Sequence, residues 1–261
     1  MTEQLRAQIW KQPDDRAVLG VYADWLATQG ETTRAEYMQL ALLARPTAPQ
    51  RARRDALHKR HRGEWLGAAR RFVYTWEVSA ESPGFIARVQ CSMPKLVAGF
   101  DVIRALGPRL TVSVTGPKAK REVVALGALP LGKLYGLALH EADMQFVTDE
   151  LMATIAPNLD GLRALTLHAG EARASDRGWQ HLLPHLVGLE RLDLTMGDNP
   201  ERWLELLLAS PVVRSLTALS VPGWIDKPLQ TRLTGALALG AVEFRKGERR
   251  VRFDRATGYY I

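Results

Sequence analysis

The 261-residue chain has a single cysteine, Cys91, which excludes an intramolecular disulfide and any zinc site built from several cysteines. It also has no long uninterrupted apolar run. The longest apolar stretch, residues 123–139, contains Pro130, Lys133 and three glycines. We therefore expect this stretch to be buried in a soluble fold and not to cross a membrane. The first fifteen residues are polar and amphipathic, unlike a secretory signal. These features predict a cytoplasmic protein.

Sequence signatures of catalysis and nucleotide binding are also missing. The glycine-rich segment 127–136 has neither the lysine of a phosphate-binding loop nor a dinucleotide fingerprint. No serine-nucleophile motif, paired carboxylates or Cys–His arrangement is present in a suitable context. His181 and His185 are spaced by four residues but have no accompanying glutamate. We therefore expect a protein that is not an enzyme and that has no cofactor.

Positive charge is concentrated in one segment. The chain carries 35 Lys and Arg against 28 Asp and Glu, a formal charge of +7. Residues 51–71 hold eight Lys or Arg but only Asp55 and Glu64, so this segment alone contributes +6. A helix predicted over residues 51–66 carries the candidate basic patch: Arg51, Arg53, Arg54, Lys59, Arg60 and Arg62. Such residues can bind phosphates by releasing counterions, but the sequence favours a solvated helix face, because no nucleic-acid-binding motif accompanies them.

The N-terminal sequence predicts a cluster of short helices in residues 1–72. One helix lies around residues 5–9. A second begins after Asp14 or Asp15, has apolar residues at spacings of three and four, and ends at Gly30. A third begins near residue 33 and ends before Pro46. In the second helix Tyr22, Asp24 and Trp25 form a structural motif. We expect Asp24 to make a buried hydrogen bond or ion pair that holds two helices together, since a lone carboxylate lacks a catalytic partner.

Residues 5–40 resemble the bacterial repeat-companion domain, and residues 64–85 resemble the segment that follows it. The resemblance depends on these motifs: Pro13-Asp14-Asp15, Val21-Tyr22-Ala23-Asp24-Trp25-Leu26, Gly30, Arg34-Ala35-Glu36-Tyr37-Met38-Gln39-Leu40, Glu64-Trp65-Leu66-Gly67, Trp76-Glu77 and Gly84-Phe85. It implies a bacterial module that precedes leucine-rich repeats and has no assigned catalytic activity. One departure is Glu31-Thr32-Thr33, where the family commonly has a Gly-Asp-Pro type of turn.

The remaining sequence contains a repeat. The pattern Leu-x-x-Leu-x-Leu begins at Leu134, Leu162, Leu189 and Leu216, at spacings of 28, 27 and 27 residues, with Val221 in the last place of the fourth copy. This period is typical of leucine-rich repeats. Helical patterns over 146–156, 179–186 and 203–209 would return the chain between strands. The usual asparagine is absent, since residues 142, 170 and 197 are Ala, Gly and Gly. The repeats are therefore irregular and resemble those of ribonuclease inhibitor.

These patterns together predict an α/β fold: a helical module in 1–72, then a short leucine-rich-repeat solenoid in 73–261. Its parallel strands would lie on the concave side and its helices on the convex side. Strands over 87–92 and 110–115, with a helix over 95–106 between them, would form degenerate first repeats. A β-hairpin formed by 242–244 and 251–253 would cap the end of the sheet.

Alternation along the strands predicts rows of side chains on the concave face. The binding candidates there are His140, Thr166, His168, Arg191, Asp193 and Thr195. His140 and His168 would stand about 5 Å apart on adjacent strands, as a pH-sensitive contact or as two metal ligands. A stable metal site generally needs a third ligand, and only Asp193 is near, so we expect no metal. The sequence favours a non-enzymatic scaffold or regulator that binds a protein partner, and nucleic-acid binding through the basic patch is the alternative.

Overall fold

A computed structural model describes residues 3–80, 82–115, 120–140, 147–169, 174–196, 200–222, 225–237, 241–245, 253–254 and 259–260. Within these residues the chain is α/β, with ten α-helices and an open, mostly parallel sheet whose eight strands follow chain order. No helix in the described part of the chain is long and apolar enough to cross a membrane. The helices are α1 Glu3–Lys11, α2 Arg16–Thr28, α3 Thr32–Ala41, α4 Ala48–His61, α5 Met93–Arg104, α6 Lys120–Gly127, α7 Asp149–Ile155, α8 Asp176–Leu182, α9 Pro200–Ala209 and α10 Lys227–Ala236.

The strands of this sheet are β1 Thr75–Val78, β2 Ile86–Ser92, β3 Thr111–Thr115, β4 Gly136–His140, β5 Ala164–Ala169, β6 Arg191–Met196, β7 Ala218–Pro222 and β8 Ala241–Arg245. β1 pairs antiparallel with β2, and β4 to β8 pair parallel in sequence. The chain packs into two compact units, an N-terminal unit (1–91 and 98–112) and a C-terminal unit (92–97 and 113–261). Residues 73–91 thus pack with the helices, whereas the sequence pattern groups them with the repeats.

The first three helices of the N-terminal unit begin and end close to where the sequence predicts. The Asp15 carboxylate accepts hydrogen bonds from the first amides of α2, and Gly30, with φ of +83°, follows the end of that helix. The core contains Leu19 and Leu26, both fully buried. At its centre the Tyr22 ring stacks on Phe85, with centroids 5.0 Å apart. Residues 73–91 thus contribute an aromatic side chain to the helical core.

The predicted helix over 51–66 is shorter than expected. α4 begins earlier, at a capping box between Thr47 and Gln50, and ends at His61. The chain then forms a 3-10 helix, Glu64–Arg71, with a kink at Gly67, where φ is +49°. Glycine tolerates this left-handed backbone conformation, which a β-carbon would strain. The kink belongs to a segment that buries Trp65 and Leu66 in the core.

The C-terminal unit repeats one coil, defined here as a β-strand followed by an α-helix and a short 3-10 helix. These 3-10 helices are Leu131–Lys133, Ala156–Asn158, Leu183–His185 and Pro211–Arg214. All twelve positions of the four Leu-x-x-Leu-x-Leu copies are at most 3% exposed. At the start of three successive strands the same bond recurs: the carbonyls of Tyr135, Arg163 and Glu190 each accept two amides from the next coil. The predicted strand–helix alternation and the parallel pairing are confirmed for β4 to β7.

The predicted C-terminal hairpin lies mostly outside the described residues, and the part that is described does not show it. β8, which contains Val242, pairs parallel with β7 and extends the main sheet. Phe253–Asp254 (β9) pairs antiparallel with Tyr259–Tyr260 (β10) in a separate two-stranded sheet. The other residues of the predicted hairpin, 246–252, lie outside the described part of the chain. α10 lies between β7 and β8, and a helix between two strands brings the second strand back parallel to the first.

Candidate functional site

Three rows of residues cross the sheet of the C-terminal unit; their pairing from β4 to β7 is the predicted one, and β8 adds a further member to each row. The first row is Gly136, Ala164, Arg191, Ala218 and Ala241; the central row is Ala138, Thr166, Asp193, Ser220 and Glu243; the third row is His140, His168, Thr195, Pro222 and Arg245. In the third row His140 pairs with His168, His168 pairs with Thr195, and Pro222 pairs with Arg245. The leucines between the rows point to the other face, where they are buried. We call the face that carries the rows the polar face.

The polar face combines three charged groups, those of Arg191, Asp193 and Glu243, with small hydroxyl groups. Arg191 and Glu243 are exposed, and Thr166 and Asp193 are half-buried. The Ser220 hydroxyl is buried and has no hydrogen-bond partner among the described residues. A buried hydroxyl without a partner is unusual, because most such groups are satisfied within the protein or by a bound molecule. The arrangement can donate and accept hydrogen bonds and can pair with charges of both signs.

His140 and His168 are direct partners on β4 and β5, as the sequence predicts. His140 is half-buried. The side chains of His168 and Thr195 lie outside the described part of the structure, so the expected histidine contact is not tested by it. Among the residues whose side chains are described, no three His, Cys, Asp or Glu groups come close enough to bind a metal ion.

The Tyr22, Asp24 and Trp25 motif divides between the core and the surface. Tyr22 is buried between the rings of Trp25 and Phe85, and burial raises the pKa of its hydroxyl. Asp24 is exposed, and its Oδ1 accepts a hydrogen bond of 3.0 Å from Gln39 Nε2 on α3. The expectation of a buried interaction is therefore wrong, although the bond does join two helices. Asp24 lies outside the buried face of α2. The spacing of the apolar residues in the sequence does not define that face narrowly enough to show this.

Three of the six residues of the basic patch are engaged in contacts within the protein. Arg53 makes a bidentate pair with Glu36 on α3, with N–O distances of 2.7 and 2.8 Å, and this pair lowers the pKa of Glu36. Arg54 pairs with Asp55, and Arg51 donates to a backbone carbonyl, that of Pro46, at 2.6 Å. The other three members, Lys59, Arg60 and Arg62, are exposed and have no ion pair among the described residues.

Sequence reasoning missed two features beside these candidates. One is Tyr74, which is 51% exposed next to the edge strand β1. The other is Asp149 at the start of α7. Its carboxylate accepts bonds from the amides of Ser175 and Gly178 and from the Ser175 hydroxyl, at 2.7, 3.1 and 2.6 Å. Asp149 thereby caps the helix of the next coil. No pattern within a single repeat could reveal a cap that spans two coils.

Comparisons with known proteins provide no relative: no family model, no curated protein and no solved structure matches the chain. The resemblances to the repeat-companion domain and to leucine-rich repeats therefore stay predictions.

Proposed function

We propose that the chain is a non-enzymatic scaffold or regulator of the bacterial cytoplasm, and that its C-terminal unit is an irregular leucine-rich-repeat solenoid that binds a protein partner. The observation that carries this proposal is the in-register polar face of β4 to β8. Rows of hydroxyl and charged groups on a sheet form an extended surface, which suits a macromolecule better than a small substrate.

The chemistry of the polar face supports binding rather than turnover. Acid–base catalysis needs a proton-transfer group within hydrogen-bond reach of a reacting atom, generally together with a second catalytic group. Asp193 and Glu243 are the carboxylates of the central row, and Ser220 on β7 stands between them in the register. Separate carboxylates of this kind fit recognition of cationic or amide groups on a polypeptide.

The partner we propose is a protein segment that carries both charges and hydrogen-bonding groups. Arg191 offers an exposed guanidinium for a carboxylate, and Glu243 offers an exposed carboxylate for a Lys or Arg of the partner. The Ser220 hydroxyl would gain a partner in the complex. Small neighbours such as Ala164 and Ala218 leave room for a backbone to approach the sheet. Because the three rows contain no aromatic residue that could act as an anchor, we expect moderate affinity.

A site-specific photo-crosslinking experiment tests this proposal. A photoreactive amino acid is placed at Arg191 on the polar face or, as the matched control, at Arg177, an exposed arginine of α8. Each tagged protein is irradiated in its native cells, and crosslinked proteins are identified by mass spectrometry with and without nuclease. The proposal expects one protein that crosslinks from Arg191 alone and survives nuclease treatment.

A second measurement establishes that the crosslinked protein binds in solution. The purified partner is titrated against wild type and against Arg191→Glu and Glu243→Lys, with thermal unfolding as the control for folding. We expect each reversal to weaken binding by about tenfold or more, in line with the cost of reversing a charge in an interface. Equal crosslinking from Arg191 and Arg177, or full affinity in both folded variants, would contradict the proposal.

A further inference from the structure

The eight cations of residues 51–71 fall into two groups in the structure. Three are engaged locally: Arg53 with Glu36, Arg54 with Asp55 and Arg51 with a carbonyl. The nearby Glu64 carboxylate contacts His61 at 3.0 Å. The other five cations are exposed and have no carboxylate partner among the described residues: Lys59, Arg60, Arg62, Arg70 and Arg71. These five exposed side chains therefore carry the positive charge that the segment offers to a binding partner.

The fold of the N-terminal unit brings this subset to an exposed aromatic ring. A β-carbon built at Gly63, just after α4, would lie 3.6 Å from Cζ2 of Trp76 on β1, so the chain that follows α4 contacts this strand. Tyr74 directly precedes β1 and lies two residues before Trp76, so it is close in the chain to this contact. Tyr74 is 51% exposed, and its backbone amide bonds to Gln90 of β2. This bond anchors the backbone of Tyr74 to β2.

The five cations lie in two segments of the chain before Tyr74. Arg62 directly precedes Gly63, and Lys59 and Arg60 lie within one turn of it on α4. Arg70 and Arg71 end the 3-10 helix, four and three residues before Tyr74, and the Arg71 guanidinium lies over the Phe72 ring, 4.6 Å from its centroid. We call the set Lys59, Arg60, Arg62, Arg70, Arg71 and Tyr74 the Tyr74 surface.

We propose that the Tyr74 surface binds single-stranded nucleic acid. Exposed cations would contact the phosphates, and the Tyr74 ring would stack on a base. A single strand exposes both its phosphates and the faces of its bases, whereas a duplex hides the base faces within its stack. An anionic membrane would match the charge, but interfacial binding needs several apolar side chains, and Tyr74 is the large exposed one of this set. This role is separate from the proposed protein binding of the C-terminal unit.

The test measures binding of fluorescein-labelled oligouridine and oligothymidine, each about 12 nucleotides long, by fluorescence anisotropy of the full chain. Five phosphate contacts set an upper limit of about −3.5 on the slope of log K against log salt concentration for a single strand. The triple variant Lys59→Gln/Arg60→Gln/Arg62→Gln should reduce the magnitude of that slope by about 2. The matched control is Arg121→Gln/Arg177→Gln/Arg214→Gln, which removes three exposed arginines from the C-terminal unit. It should keep both affinity and slope.

The aromatic part of the proposal has its own variants. Tyr74→Ala should weaken binding at least about fivefold, the lower end of what a base–aromatic stack contributes, whereas Tyr74→Phe should bind like wild type. Thermal unfolding checks that each variant is folded. A comparison of the affinities for oligouridine and oligothymidine distinguishes single-stranded RNA from single-stranded DNA as the ligand.

Four outcomes would overturn the inference. These are no binding of either strand by wild type at about 0.05 M salt, an equal loss in the matched control, tighter binding to a duplex of the same length, and binding to phosphatidylglycerol vesicles without binding to the oligonucleotides.

Discussion

We expect the substitution Gly132→Ala to destabilise the C-terminal unit, because this glycine lies where two successive coils touch. A β-carbon built at Gly132 would lie 1.9 Å from the carbonyl oxygen and 2.6 Å from the carbonyl carbon of Asp160 in the next coil. An unstrained contact is about 3.5 Å, so the two backbones would have to separate by about 1.6 Å. Both obstructing atoms belong to the backbone, and no side-chain rotation can relieve the overlap.

The magnitude follows from the cost of overpacking, which is about 1–3 kcal/mol in cores where side chains can adjust. We expect about 3 kcal/mol for Gly132→Ala, which corresponds to a fall in Tm of roughly 6–12 °C for a unit of this size. Urea unfolding followed by circular dichroism measures the change. The control is Gly235→Ala in α10, where a β-carbon meets nothing within 4 Å and alanine should stabilise the helix by up to about 1 kcal/mol. A free energy of unfolding within about 0.5 kcal/mol of wild type for Gly132→Ala would refute the stacking of these coils.

Three further predictions concern single side chains. Leu192→Ala, at a position 1% exposed, should lower the free energy of unfolding by about 2–5 kcal/mol. The control Val187→Ala, at a position 66% exposed, should change it by less than about 0.5 kcal/mol. Equal effects of the two substitutions in urea unfolding would contradict the assigned core. Asp149→Ala should cost about 1–2 kcal/mol and speed amide exchange at the start of α8, and unchanged exchange would argue against the cap between coils. Burial and the Arg62 guanidinium lower the pKa of His58, so the unfolded chain takes up a proton first as the pH falls through the ordinary histidine range near 6.5. Tm should therefore fall between about pH 7.5 and 5.5, and it should fall less in His58→Phe; parallel curves would show that His58 does not contribute.

The parallel sheet could be predicted because two constraints in the sequence agree. The buried leucines fix which face of each strand points inward, and the constant spacing fixes how neighbouring strands align. Hence the observed pairing of Thr166 with Asp193 and of His140 with His168 is the predicted one. The edge strand β1 was not predicted, because its four residues alternate between exposed and half-buried and give little apolar signal.

At the candidate sites, the local sequence pattern does not predict which side chains are paired and which are exposed. Charge counting found the basic segment, but the pairing of Arg53 with Glu36 depends on the approach of α4 to α3, which no local rule specifies. Likewise Tyr74 follows a 3-10 helix with a left-handed glycine, and only the fold reveals that its side chain is exposed next to the edge strand β1. Tertiary packing decides which of many similar arginines keep their charge available.

The repeated carbonyl bond at the start of each strand has an evolutionary consequence. Tyr135, Arg163 and Glu190 make the same pair of bonds to the following coil at intervals of 28 and 27 residues. A duplication or loss of one whole coil would therefore leave the backbone bonds on either side of the junction intact. Related genes would be expected to differ in length by multiples of about 27 codons, with each gain lengthening the polar face by one strand and leaving the N-terminal unit unaltered.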